Sequence, residues 1–153
     1  MLRIISVGKI KDNNLQILIT DYQKRLSVFG GLDIIEAPDF PELSDLNKTL
    51  KKEELEILKR INPKDFVVLL DLQGENISSE VFALKLQDWL SHSFNNIVFI
   101  IGGSNGVSQE IKKRANYLWQ FSKLTFPHQL IRLMLVEQIY RAYKINNNQK
   151  YHK

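Results

Sequence analysis

The last three residues, Tyr151-His152-Lys153, combine an aromatic ring, a group that titrates near neutrality and a cation. Tyrosine can stack on a nucleobase, histidine can move a proton and lysine can hold a phosphate. On composition alone the same three residues would be a frayed end. A second group is Gly102-Gly103-Ser104-Asn105-Gly106, which follows the apolar run Ile97 to Ile101 without a break. Its glycines let the backbone turn sharply and come close to a ligand. The group also matches G-x-S-x-G, the elbow of α/β-hydrolases, with Ser104 as nucleophile and Glu137 and His152 following in triad order. Against that reading stand the short chain and Asn105-Gly106-Val107, which delays the helix that should begin at the serine. The third group, Phe121-Ser122-Lys123-Leu124-Thr125-Phe126-Pro127-His128, mixes apolar and hydroxyl residues and fixes the entry to a helix through Pro127. Here a lone His128 reads as structural or capping. Glu137 and Arg141 are spaced as an ordinary i,i+4 helix pair. His92, His128 and His152 share no ligand spacing, so no metal site is expected. Neither G-x-G-x-x-G nor G-x-x-x-x-G-K-[ST] is present.

The elements that must carry these groups follow from periodicity. Leu2 to Val7, Leu32 to Ala37, Phe66 to Leu70, Ile97 to Ile101 and Tyr117 to Ser122 read as strands, the apolar runs among them buried on both faces. Helices are predicted over Asn13 to Phe29, stopped by Gly30-Gly31, and over about Leu46 to Ile61, stopped before Pro63. Ser78 or Ser79 caps a third and Ser108 opens a short basic fourth. The last helix runs from His128 to about Ile145. Pro38-Asp39-Phe40-Pro41 is a loop, because each proline keeps its predecessor out of helix. Strands alternating with helices define one α/β domain over residues 1–153, a mainly parallel sheet with helices on both faces. Ligands of such sheets gather beyond the carboxyl ends of the strands, where Gly102 to Gly106 lies. The last helix is apolar on most sides, and a second copy of the chain is the expected cover, making a homodimer.

A chain of 153 residues is enough for one domain and short for two. It has no cysteine, which excludes disulfides and thiolate metal sites. No apolar run approaches the roughly 18 residues of a membrane span, so a soluble cytoplasmic domain without membrane attachment is expected. The charge is unevenly placed. Residues 1–102 hold 12 basic and 15 acidic side chains, whereas residues 103–153 hold 9 and 2. So basic a C-terminal third is a candidate surface for phosphates, with nucleic acid the leading partner.

Val7-Gly8-Lys9, Ile101 to Gly106, Phe121 to Gln129 and the terminal Tyr151-His152-Lys153 together resemble the RlmH family, small SPOUT-class methyltransferases of the bacterial large ribosomal subunit. The resemblance covers the whole chain in order. It implies a SPOUT-type fold with a C-terminal trefoil knot, which periodicity could not reveal. It also implies a homodimer that transfers a methyl group from S-adenosylmethionine to N3 of a pseudouridine in 23S rRNA, within the assembled ribosome. The cofactor pocket it implies comprises Leu70, Gly102 and the run Phe121, Ser122, Lys123, Leu124, Thr125 and Phe126. Ser104 then becomes a loop residue. For the chemistry, His152 is the first candidate base, Lys153 and Arg132 are candidates to stabilise negative charge, and Tyr151 is a candidate to stack on the flipped base. A serine hydrolase and a non-catalytic RNA-binding protein are the competing classes.

Overall fold

Strands that are apolar on both faces must lie at the centre of a covered sheet, and β1 (Leu2–Val7) and β4 (Ile97–Ile101) do so. In the computed structural model, which describes residues 1–40 and 45–153, they pair with β2 (Leu32–Ala37) and β3 (Phe66–Asn76). β5 (Tyr117–Gln120) completes a five-stranded sheet in the order β2-β1-β4-β3-β5, every neighbour parallel. Side chains alternate across the sheet with period two. Ile4, Val68 and Phe99 enter one core, and Ile5, Leu69 and Ile100 the other.

The first core lies beneath α1 (Asn13–Leu26), α3 (Ser79–Ser91) and α5 (His128–Asn146). Ile57 of α2 (Leu46–Leu58) and Ile111 of α4 (Gln109–Arg114) belong to the second. The caps are local chemistry. Asp12 accepts from the amides of Asn14 and Leu15 at 2.7 and 3.1 Å, Ser78 from Val81 at 3.2 Å and Ser108 from Ile111 at 3.3 Å. A turn of 3-10 helix over Ser27–Phe29 carries α1 to Gly30. α2 stops at Leu58, three residues before the predicted Ile61, and Arg60 and Ile61 close a turn instead. The predicted loop is borne out over Pro38, Asp39 and Phe40; its Pro41 lies outside the described residues.

Two strands depart from expectation. β5 ends at Gln120 rather than Ser122, which frees Phe121 and Ser122 for the loop beyond. β3 runs six residues past Leu70, interrupted by an irregularity: Leu70 pairs with Trp119, the chain swings out, and pairing resumes at Glu75 and Asn76. Polar residues in Leu72 to Asn76 conceal this continuation. Gly74 permits it, because a Cβ there would sit 2.5 Å from the Leu118 carbonyl carbon and the Trp119 nitrogen.

α5 lies against both α1 and α3. Leu135, Val136, Ile139 and Ala142 are buried, and Tyr140 and Tyr143 meet Tyr22 and Phe29 from the α1 side. Much of its excess apolar surface is therefore covered within one chain. Leu133 and Met134 stay half-buried at an open recess. Among the described residues no helix is long and apolar enough to cross a membrane.

Replacing Gly74 with alanine is expected to push β3 away from β5 at a cost of about 1–3 kcal/mol, the usual range for overpacking. Urea denaturation measures it as a lowered midpoint with an unchanged slope.

Candidate functional site

Because all five strands are parallel, their carboxyl ends share one edge of the sheet. The segment 71–74 of β3, the loop 102–107 after β4 and the loop 121–127 after β5 meet there around a cavity of about 460 Å³. Its lining includes Leu70, Gly102, Phe121, Ser122, Leu124, Thr125 and Phe126. Lys123, the eighth residue expected there, is exposed and does not line it. Gly102 is required by space: an added Cβ would come within 2.7 Å of Val107 Cγ1 and 3.0 Å of the Gly106 oxygen. Gly106 closes the turn with φ +80°, its N–H donating a hydrogen bond to the Gly103 carbonyl oxygen at 3.1 Å. Leu124 donates its amide to Ser122 Oγ at 3.0 Å, which shapes the third loop.

Asp71, Gln73, Lys112 and Ile131 also line the cavity and were not anticipated. Lys112 Nζ lies 3.3 Å from Asp71 Oδ2 and 3.5 Å from Gln73 Oε1, bridging α4 to the β3 excursion. Asp71 could have been read from its place just past an apolar strand. Lys112, one of three consecutive basic residues, carried no such signal.

The chain terminus is held rather than frayed. Tyr151 donates its hydroxyl to Glu137 Oε1 at 3.0 Å and meets the Tyr22 hydroxyl at 3.1 Å. Arg141 donates to the same Glu137 oxygen from Nε at 3.0 Å and from Nη2 at 2.6 Å. Its guanidinium lies over the Tyr151 ring, 4.8 Å from the centroid, and its Nη1 is 3.1 Å from His152 Nδ1. The other imidazole nitrogen, Nε2, is 2.7 Å from Glu80 Oε1 in the first turn of α3. Burial and the bonds to Tyr22 and Glu137 push the Tyr151 phenol well above its ordinary range, so it stays a donor. Glu80 is drawn down to about 2, first by its own backbone amide and then by Ser78 and His152. Lys153 is exposed at the end of this cluster.

Between the tail cluster and the cavity lies a second recess of about 520 Å³, with Tyr22 and Glu137 on one side. Trp119 and Phe121 belong to the walls of both. Trp119 is fixed by stacking on Phe82, with centroids 4.1 Å apart.

Arg132 belongs to neither place. Its side chain is 2% exposed and lines a separate polar recess with Glu36, Gln16 and Gln23. Nη1 donates to Glu36 Oε1 at 2.6 Å and Nη2 to the Gly8 carbonyl at 2.9 Å, tying α5 to the ends of β1 and β2. Ser104 is exposed and lines no wall of the cavity, while Glu137 and His152 are bridged by Arg141. The serine-hydrolase reading therefore has no triad to rest on. His128 lines the cavity and gives α5 no side-chain cap; the residue preceding the helix is Pro127. Among the described residues, no three of His, Asp or Glu converge as metal ligands.

This all-parallel arrangement is shared with solved structures of other proteins. A probable methylase family protein from Haemophilus influenzae Rd KW20 superimposes with a TM-score of 0.56 at 13% identity, over 99% of this chain and 70% of its own. A probable methyltransferase from Bordetella pertussis Tohama I gives 0.58 at 9%, over 92% and 93%. At such identities the likeness is one of fold. A family profile described as "Predicted SPOUT methyltransferase" matches residues 1–152. Proteins named Ribosomal RNA large subunit methyltransferase H are 46% identical in Ureaplasma urealyticum (100% of this chain, 99% of theirs) and 47% identical in Clostridium botulinum (98% of each). The chain belongs to the RlmH family of SPOUT methyltransferases.

Replacing Arg132 with alanine removes the cation from Glu36, which keeps the Ile10 amide, and the guanidinium from the Gly8 carbonyl. Breaking a buried ion pair costs 3–5 kcal/mol, and the partial exposure of Glu36 brings the expected loss to about 2 kcal/mol. Chemical denaturation of the variant measures it.

Proposed function

We propose that the protein methylates ribosomal RNA of the large subunit, taking the methyl group from S-adenosylmethionine bound in the cavity at the strand ends. The observation that carries this reading is the coincidence of that cavity with Leu70, Gly102 and the 121–126 loop, in a chain whose relatives bear the name of an rRNA methyltransferase. The lining fits such a donor. Leu70, Ile101, Phe121 and Ile131 offer apolar walls for an adenine, and the glycine backbone offers close approach where a side chain would collide. When bound, the donor supplies a methyl group made electrophilic by a sulfonium. In this reading the loop 121–127 is the thread of a trefoil knot, and Lys123, exposed beside the cavity, contacts the donor's outer edge or the RNA.

The acceptor is read as N3 of a pseudouridine in 23S rRNA of the assembled particle. A uracil-type N3–H is weakly acidic, so the protein must position that nitrogen and help it lose its proton. Tyr151 stacks on the base, His152 and Lys153 handle its charge, and Arg132 holds the ends of β1 and β2 against α5. Nine basic side chains against two acidic ones in residues 103–153 favour an RNA partner. A homodimer is supported by Leu18, Leu133 and Met134 around the second recess, an apolar surface that one chain leaves open. A protein acting on ribosomes works in the cytoplasm.

Incubation with radiolabelled S-adenosylmethionine and unmodified ribosomes is expected to label one pseudouridine of the large subunit, with separated subunits and naked rRNA unlabelled. Salt-sensitive ribosome binding without label in any substrate would sink the reading. Sedimentation equilibrium is expected to show a dimer, and Met134→Glu to shift it to monomer by placing a charge in the apolar contact; a wild-type monomer would refute the dimer.

A further inference from the structure

We propose that Arg141 is a positioning residue that sets the tautomer of His152, so that His152 serves methyl transfer as an N–H donor to an oxygen of the acceptor base and not as the base that removes its proton. The catalytic half of this inference rests on the function proposed above; the tautomer does not. A guanidinium has five N–H groups and no acceptor. With Arg141 Nη1 at 3.1 Å, His152 Nδ1 is the acceptor and carries no hydrogen. The neutral imidazole therefore keeps its proton on Nε2, which donates to Glu80 Oε1 at 2.7 Å.

Arg141 is not free to turn away. Its Nε and Nη2 both end on Glu137 Oε1, and its face covers the Tyr151 ring. Glu137 Oε1 also accepts from Tyr151, and its Oε2 accepts from the Gln138 amide at 2.8 Å. The groups facing the tail are thus Arg141, Glu137 and Tyr140 of α5, Glu80 of α3 and Tyr22 of α1, with Lys150, Tyr151 and Lys153 beside His152 in the chain. A proton arriving at Nδ1 would have to displace a fixed cation. The one lone pair that could act as a base is the one the protein covers.

What His152 offers instead is Nε2–H, directed at an anionic oxygen. A uracil-type ring that has lost its N3 proton carries the negative charge on the two flanking carbonyl oxygens. Such an oxygen, taking the place of Glu80 Oε1, would receive the bond that stabilises the charge as it forms, the role of an oxyanion-hole donor. A neutral imidazole held as an electrophile is an established use of histidine. In the step, the N3–H bond breaks with its electron pair left on nitrogen, and the proton goes to water. The N3 pair then forms the bond to the methyl carbon as the carbon–sulfur bond breaks, its pair going to sulfur. Anion and sulfonium give a neutral product pair.

Two measurements test this. Imidazole ¹⁵N–¹H correlation spectra of the ligand-free protein, followed through a pH titration, are expected to show the neutral form of His152 protonated at Nε2 and bare at Nδ1. Arg141→Gln is expected to give mixed tautomers, and Arg141→Lys to restore the wild-type pattern. A neutral His152 protonated at Nδ1 in the wild type would overturn the proposal whatever the enzyme's activity. In methyl transfer to ribosomes, His152→Ala is expected to lower kcat about 10²-fold, as for loss of an oxyanion donor. His152→Gln has an amide N–H but cannot take a proton, and is expected to recover at least about tenfold of that loss. Equal loss in both variants, with both folded by circular dichroism, would restore the base and refute the donor. Failure of the wild type to methylate any substrate would instead overturn the function, leaving the tautomer result standing.

Discussion

A parallel sheet imposes one constraint on everything built upon it: all the carboxyl ends lie on the same side. In this protein the constraint brings together three segments spread along residues 71–127, from the β3 excursion to the loop before α5. The three segments need not adjoin one another in the chain, because the strand order β2-β1-β4-β3-β5 sets β4 between β1 and β3 and puts β5 beside β3. The short strands leave their loops free early. The Gly102 to Gly106 turn then closes at the cavity rim in a form that a Cβ at position 102 would forbid, because it would strike Val107 and Gly106.

The last helix divides its charges between two tasks. Arg132, near its start, is buried and joins the sheet's β1–β2 end through Glu36 and the Gly8 carbonyl. Arg141, two and a half turns on, is paired along the helix with Glu137 and reaches outward to the tail. Both are held by carboxylates, yet only Arg141 keeps an N–H for a group that can do chemistry. The same helix therefore fixes the framework at one end and orders the terminus at the other.

Much of this was legible in the residues. The five strands and five helices follow from apolar runs, period and caps, and Leu32–Ala37 and Ile97–Ile101 fall where the pattern puts them. Likeness to a family pointed to eight residues, of which all but Lys123 line the cavity, but not to Asp71, Gln73, Lys112 or Ile131, and polarity alone would not have picked Leu70 or Phe126. The continuation of β3 beyond Leu70 was hidden because Gln73, Gly74 and Glu75 look like a turn, and only the close approach to Leu118 explains them. Arg132 and Arg141 were indistinguishable as types. Their burial and partners depend on the approach of β1, β2 and the tail to α5, which no local pattern encodes. Glu80, far from the tail in sequence, gave no sign of meeting His152.

Trp119 is one of two tryptophans in the chain, and it stands in the wall between the two recesses. The other, Trp89, is buried against Phe66 near the end of α3 and lines neither. The molecule thus carries one indole walled off from both recesses and one in contact with both. Its intrinsic fluorescence is in effect an optical gauge of the site, with its own internal reference built into the core.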